Sequence, residues 1–444
     1  MPNTLLIRNA DIVTLDQQGT ILRGANIAIE GSAIKAVGDA PPDFAKHADE
    51  IIDGYNHVAL PGFFNAHCHA PMTFERGWAE DLPFPRWLNE KIWVAESALT
   101  PDDVYWGASL AACEMIRAGC VAFNDHYFYM DRVAEVVEQS GMKATLTWCV
   151  FGIGDEKEVG ANLDGTLAFT ERWQGRADGR LRLSLGPHSP YICPPDFLRR
   201  VATLAAERKL PIHLHVAESQ EQVDNSLKAY GKTPVAHLES LGIFDVPCVA
   251  AHCLTVTDDD LDLLARRNVS VAHTPITYMK LAMGVNDLSR FLKRGINVAI
   301  GTDGPGSNGD MDMPAQIRQT VILQKHEWRD PEAIPGDTAL RMATQNGAKA
   351  MGFSQSGIIA PGFAADLTLF DFDKPHLYPR HNLVANLVHS AKGSDVSHVI
   401  VDGKLLYRAG ELLTLDEEKI LREAERHAFR MVGTEMKSMR EYKG

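Results

Sequence analysis

Two histidines one residue apart at the end of an apolar run constrain this chain more than any other feature. In Leu60-Pro-Gly-Phe-Phe-Asn-Ala-His67-Cys-His69 the imidazoles fall at i and i+2, which share a face in an extended strand. The pair therefore reads as half of a metal site. Three more runs have the same layout: Pro211-Ile-His-Leu-His215-Val-Ala-Glu218, Val249-Ala-Ala-His252 and Val298-Ala-Ile-Gly-Thr-Asp303. Ligands delivered from several strand ends far apart in sequence describe a parallel barrel, whose active sites form at the C-terminal ends of its strands. Any one of the 17 histidines taken alone is more simply a structural side chain. Joint placement of His67, His69, His215 and His252 with Asp303 points instead to a metal-dependent hydrolase.

The remaining pattern fits a (β/α)8 TIM-like barrel. Eight apolar runs qualify as its strands, beginning at Gly62, Cys120, Ala144, Leu181, Pro211, Cys248, Val269 and Asn297, and helical stretches such as Phe197–Glu207 separate them. Thr257 is a plausible N-cap for the acidic first turn that follows it. Short alternating strands before residue 57 resemble others near 366–371 and 398–407, so both chain ends are expected to build one small β-sandwich beside the barrel. The expected division is 1–57 and 361–415 for the sandwich, 58–360 for the barrel, and 416–444 for an exposed charged C-terminal helix.

Composition narrows the function classes. With 444 residues, 45% hydrophobic and 23% charged, the chain can bury a sizeable core. A net charge of −14 without a Lys/Arg cluster argues against a nucleic-acid partner. No apolar run approaches a membrane span and no signal-peptide layout opens the chain, so a cytoplasmic protein with a small-molecule substrate is expected, as a homo-oligomer. The seven cysteines include no Cys-x-x-Cys pair, and Cys68 alternates away from the face of His67 and His69, so packing is their expected role.

A zinc ion held by His67, His69, His215 and Asp303 would keep a position for water and lower its pKa to about 7. The same shell also accepts iron or manganese. Glu218, three residues beyond His215, is placed to shuttle a proton between substrate ring and leaving group; the alternative is a helix N-terminal acid.

Residue by residue the whole chain resembles the amidohydrolase superfamily, in particular its aminohydrolases of the 5'-methylthioadenosine/S-adenosylhomocysteine deaminase type. The matching stretches are Pro61-Gly-Phe-Phe-Asn-Ala-His-Cys-His-Ala-Pro-Met-Thr, Arg76-Gly-Trp-Ala-Glu-Asp-Leu-Pro, Gly186-Pro-His-Ser-Pro-Tyr, Ala251-His-Cys, Lys280-Leu-Ala, and Gly301-Thr-Asp-Gly with Ser307-Asn308. The resemblance implies one zinc on His67, His69, His215 and Asp303. It makes Glu218 the acid/base, has His252 orient the attacking water, and has Asp303 take a proton from it. It also assigns Trp87, Glu96, His188 and Ser307 to substrate; from the residues alone, Trp87 to Glu96 reads equally well as an amphipathic helix. His213 shares a face with His215, yet the family pattern makes only His215 a ligand. No lysine that would bridge two metals stands in the fourth strand.

Departures from the family pattern fall at Thr274, Thr277 and Tyr278 after the seventh strand, and at Trp148, where relatives that grip an amino-acid carboxylate can have arginine. No arginine appears from Cys149 to Glu171. Uncharged 5'-substituted adenosines are therefore expected to be better substrates than S-adenosylhomocysteine. The alternative within hydrolases is removal of amine or chloride from an s-triazine, or deamination of guanine or a pterin; imide ring opening is disfavoured by the missing lysine. Gly304-Pro-Gly-Ser-Asn-Gly309 has the letters of a dinucleotide loop but follows the last barrel strand rather than opening a Rossmann helix. A non-catalytic barrel is disfavoured because the whole ligand set is retained.

Overall fold

The computed structural model describes residues 4–41, 43–153 and 163–433. Eight parallel strands, Phe63–Cys68, Cys120–Tyr127, Lys143–Val150, Leu181–Pro187, Ile212–Val216, Cys248–His252, Ser270–His273 and Val298–Ile300, pair in chain order. A parallel bridge between Cys68 and Asp303 returns the last strand to the first and closes the barrel. These are the eight strands expected from the apolar runs. Helices cover their outer faces, so strands such as Cys120–Tyr127 are buried at every residue, and the Cys120–Phe123 half of this one reads as a continuous rather than alternating apolar segment. Gly301 is needed at the closure: a Cβ there would lie 2.6 Å from the His67 carbonyl oxygen.

Helix starts follow local chemistry. Thr100 and Asp103 form a capping box on Pro101–Arg117, and Thr257 caps Asp258–Arg266, whose first turn carries three aspartates.

Strands from the two chain ends hydrogen-bond into one mixed nine-stranded sheet. Its centre is the antiparallel pair His57–Pro61 and Leu367–Asp371, with the parallel neighbour Thr4–Val13. The sheet folds over on itself, bridging Ala33 to Ala364. It encloses a core of its own from residues including Ile7, Ile27, Ile29, Leu367 and Ile400. His57–Pro61 runs on through Gly62 into the first barrel strand, so the sheet sets the direction from which His67 and His69 enter.

The C-terminal helix spans Glu417–Met431, and Asp416 caps it by accepting from the Lys419 N–H. Residues beyond 433, where the expected helix continued, lie outside the described residues. The helix is not simply exposed: Ile420, Ala424 and Met431 are buried, and Glu417 pairs with Arg117 while Arg430 and His427 meet Asp103. Its charged composition conceals a narrow apolar stripe that packs on Pro101–Arg117. Among the described residues no helix is long and apolar enough to cross a membrane. All seven cysteines are buried and unpaired.

Candidate active site

The C-terminal strand ends surround a cavity of about 610 Å³, its open mouth included. His67 arrives on the first strand and His69 just past its end, His215 on the fifth, His252 on the sixth, and Asp303 just after the eighth. His252 and Asp303 have φ of 73° and 62°, a left-handed backbone that ordinary residues adopt at some expense and that turns the side chains inward here.

The hydrogen bonds of these histidines fix which nitrogen faces the cavity. His69 Nδ1–H donates to the His126 carbonyl at 2.6 Å, and His215 Nδ1–H donates to the His188 carbonyl at 2.9 Å. In the neutral rings both Nε2 atoms are then bare acceptors, yet they face each other at 3.3 Å. Asp303 Oδ1 lies 3.2 Å from His69 Nε2 and 3.5 Å from His67 Nε2, and the latter nitrogen is buried with no hydrogen-bond partner. Acceptors turned toward one point with no donor among them are the arrangement a cation would satisfy, and a His and carboxylate set suits zinc. Burial alone would raise Asp303, but the His67 and His69 imidazoles set against it hold it well below the usual carboxylate range. Burial opposes charge on His69 as well, yet the Asp303 carboxylate brings it up to about 9. The cluster draws positive charge to its centre.

Glu218 stands beside this cluster. Its Oε1 is 3.6 Å from His252 Nε2, its Oε2 accepts from the Tyr191 hydroxyl at 3.1 Å, and its backbone N–H donates to Gln222. Burial raises the Glu218 carboxyl, while His252 and His215 are lowered to about 4 by burial. Ser307 Oγ donates to Asp303 Oδ2 at 2.9 Å and also meets Thr277 Oγ1 at 3.2 Å.

Thr274, Thr277 and Tyr278, the departures from the family pattern, are braces. Thr274 Oγ1 meets His252 Nδ1 at 3.2 Å, the Tyr278 hydroxyl accepts from the Thr274 N–H, and Thr277 supports Ser307. Trp87, Glu96 and His188 line the same cavity. Trp87–Ile92 forms a π-helical turn that runs into Trp93–Glu96, a wider winding often found at functional sites. The segment thus combines the two alternatives: it is helical, and it borders the cavity. Trp148 does not line the cavity; its ring packs on Phe169 at 5.5 Å and on Tyr129, while the next residue, Cys149, faces in. Strand alternation explains the difference. Of the arginine-free stretch, residues 154–162 lie outside the described residues.

Several contributors escaped the sequence reading. His126, near the end of a second strand that runs three residues past the Cys120–Asn124 run recognised in sequence, lines the cavity, with its ring 5.0 Å from that of His215. It forms a possible ligand group with His69 and His215. Asp125 Oδ1 accepts the Ala70 N–H at 2.8 Å and so anchors the turn after His69. His213, read from the sequence only as sharing a face with His215, lies behind the site as a partner of His67, its Nε2 2.9 Å from His67 Nδ1. The rule that found His67 also reaches His126, had the strand been extended through Asn124-Asp-His.

The amidohydrolase family model matches residues 58–406, which contain every residue of this site. Proteins named 5-methylthioadenosine/S-adenosylhomocysteine deaminase from Dictyoglomus thermophilum and Pelotomaculum thermopropionicum are 48% and 43% identical to the chain, over 96% and 97% of it and 99% of each relative. Among solved structures, an adenosine deaminase from Xanthomonas campestris with bound zinc has a TM-score of 0.91 at 31% identity, covering 97% of this chain and 99% of that one. An atrazine chlorohydrolase from Arthrobacter aurescens complexed with zinc shares the fold, with a TM-score of 0.89 at 24% identity over 96% of this chain and 100% of that one. The chain belongs to the amidohydrolase family.

Proposed function

We propose that the protein is a zinc-dependent hydrolytic deaminase acting on the exocyclic amine of adenosine-type nucleosides, giving the inosine-type product and ammonia. One observation carries the reading. Ligand atoms of His67, His69 and Asp303, and of His67 with His215, lie within 4.8 Å of one another beside a cavity lined by His69, His215, Asp303, Glu218, Trp87, Glu96 and His188. The names of the relatives, and the zinc in the Xanthomonas campestris structure, support it.

In this reading His67, His69, His215 and Asp303 hold one zinc, which when bound supplies Lewis acidity and makes a water nucleophilic at neutral pH. Iron or manganese would fit the same donors. Asp303, kept ionised, accepts a proton of the water. Glu218, raised by burial, delivers its proton to the ring nitrogen as the amine-bearing carbon becomes saturated; it then takes the proton of the new hydroxyl group and passes it to the departing amine as the C–N bond breaks, and the proton held by Asp303 restores the Glu218 acid. His252, braced by Thr274, orients the water, and Ser307 steadies Asp303. Trp87 packs on the nucleoside, Glu96 accepts from the ribose hydroxyls, and His188 contributes a hydrogen bond. Ammonia release by zinc-loaded protein, measured on adenosines, guanine, pterins and aminotriazines, tests this; activity confined to a non-adenosine ring would refute it.

The same reading takes 58–360 as the catalytic barrel, with 1–57 and 361–415 as the flanking sheet domain and 416–444 as a C-terminal segment. A cytoplasmic location is supported by seven unpaired cysteines. A homo-oligomer is supported by Leu413, Leu421 and Phe429, exposed on and beside the C-terminal helix, and sedimentation measures it.

A further inference from the structure

Glu218 has two carboxyl oxygens, and its neighbours treat them differently. Oε2 accepts from the Tyr191 hydroxyl at 3.1 Å and is reached by Gln222 Nε2 at 3.5 Å. Oε1 meets neither and lies 3.6 Å from His252 Nε2. The Gln222 amide has only one orientation that fits: the Glu218 backbone N–H donates to its Oε1 at 2.9 Å, so its Nε2 is the atom turned to the carboxyl group. Gln222 is delivered there by the helix Gln220–Tyr230, whose N-cap Ser219 accepts the Gln222 N–H. Tyr191 comes from a separate segment, after the fourth strand, and the Ser189 hydroxyl hydrogen-bonds its oxygen. A second cavity, about 500 Å³ with its mouth, lies on the far side of both residues, lined also by Asn225, Ser226 and Tyr230. Open space rather than packed core backs these two side chains there, so hydrogen bonds rather than packing fix the carboxyl plane.

Resting on the acid/base role of Glu218 in the reading above, we infer that Tyr191 and Gln222 are positioning residues: by donating to Oε2 they keep the Glu218 proton on Oε1, turned toward the substrate ring. A protonated carboxyl group has one hydroxyl and one carbonyl oxygen, and donors belong against the carbonyl one. A proton on Oε2 would stand against the Tyr191 O–H and the Gln222 N–H, while Ser189 already supplies a hydrogen to the tyrosine oxygen. A free Glu carboxyl turns easily, because its last torsion is broad and two-fold. Left unclamped, it would present its carbonyl oxygen to the ring nitrogen in part of its population, and a misplacement of about 1 Å can cost roughly 100-fold in rate. The same hold serves the second transfer, in which Oε1 takes the proton of the new hydroxyl group and passes it to the amine.

The test is steady-state kinetics on the zinc-loaded full chain, with the ring amine that the wild-type protein turns over fastest. Tyr191→Phe removes only the hydroxyl, and Gln222→Met keeps the length without the amide. Each should lower kcat by about fivefold or more while KM stays within about threefold and zinc content is unchanged. A double-mutant cycle gives the readout that a merely structural role would not move. In the Glu218→Gln background, Tyr191→Phe should change the remaining kcat by less than about twofold, because its effect runs through the Glu218 proton. Wild-type kcat in either variant overturns the proposal, and so does a loss confined to KM, which would make these residues part of the pocket shape alone. A Tyr191→Phe loss of the same size in the Glu218→Gln background also overturns it. If Gln222→Met does not fold, Tyr191→Phe and its cycle decide alone. Near wild-type turnover by Glu218→Gln would remove the acid/base reading itself and the proposal with it, a failure distinct from unchanged kcat in the two positioning variants.

Discussion

Replacing His213 with leucine asks whether the histidine behind the site sets the tautomer of the one in front. His67 presents a bare Nε2 to the cavity only while its proton sits on Nδ1, and Nδ1 lies 2.9 Å from His213 Nε2. His67 and His213 are 0% and 1% exposed, so water cannot stand in for a lost partner. Leucine nearly fills the volume but accepts nothing. The His67 ring then either keeps an unpartnered N–H, which costs about 1 to 3 kcal/mol in a buried setting, or moves the proton to Nε2 and ceases to be a ligand. Both routes weaken the metal-bound state. The first range corresponds to roughly 5- to 150-fold, and it brackets the loss of about 10- to 100-fold usual for outer partners of ligating histidines. Competition titration of zinc against a chromophoric chelator measures it, with His213→Gln as the control because its amide oxygen can still accept. Wild-type zinc affinity in His213→Leu would refute the tautomer argument.

Glu218→Gln should retain zinc and lose about 10² to 10⁴ in kcat, since the amide cannot relay a proton; near wild-type turnover would move the role elsewhere. Activity should require one metal per chain, and His215→Ala should lose both metal retention and turnover; elemental analysis of active protein checks it, and two tightly held metals would contradict it. Glu75 is fully buried, neither carboxyl oxygen has a hydrogen-bond partner, and burial, with the Glu96 charge adding, raises it well above its ordinary 4.5. The folded chain therefore holds this proton more tightly than the unfolded chain, so the Glu75 contribution to stability is whole below about pH 4.5 and declines as pH rises through the folded pKa. Glu75→Gln should remove that decline and be more stable than wild type at pH 8 by about 1 kcal/mol or more; denaturant melts at pH 5 and pH 8 that differ equally for the two proteins would contradict it.

Local chemistry carried much of this molecule on its face. Period-two alternation puts His67 and His69 on one side of a strand whatever else the chain does, and the same rule makes His215, His252 and Asp303 legible at strand ends. Burial on both faces made the barrel strands visible as apolar runs, and Thr257 announced its helix because capping is decided within one turn.

Other features depend on what lies across the barrel, and no local rule reaches that far. The meeting of His69 and His215 Nε2 at 3.3 Å is set by closure of the eighth strand on the first, with Gly301 admitting the His67 carbonyl. His213 became a partner of His67 only when the first and fifth strands faced each other. Thr274 and Thr277 looked like departures until their hydroxyls were found against His252 and Ser307. Trp148, which the resemblance set where relatives can have arginine, packs on Phe169, because the side on which a barrel residue falls is fixed by shear and tilt of the whole sheet. The candidate ligands were legible in sequence. The tautomers and the charge at the centre arise from contacts between segments far apart in the chain, so tertiary structure alone decided them.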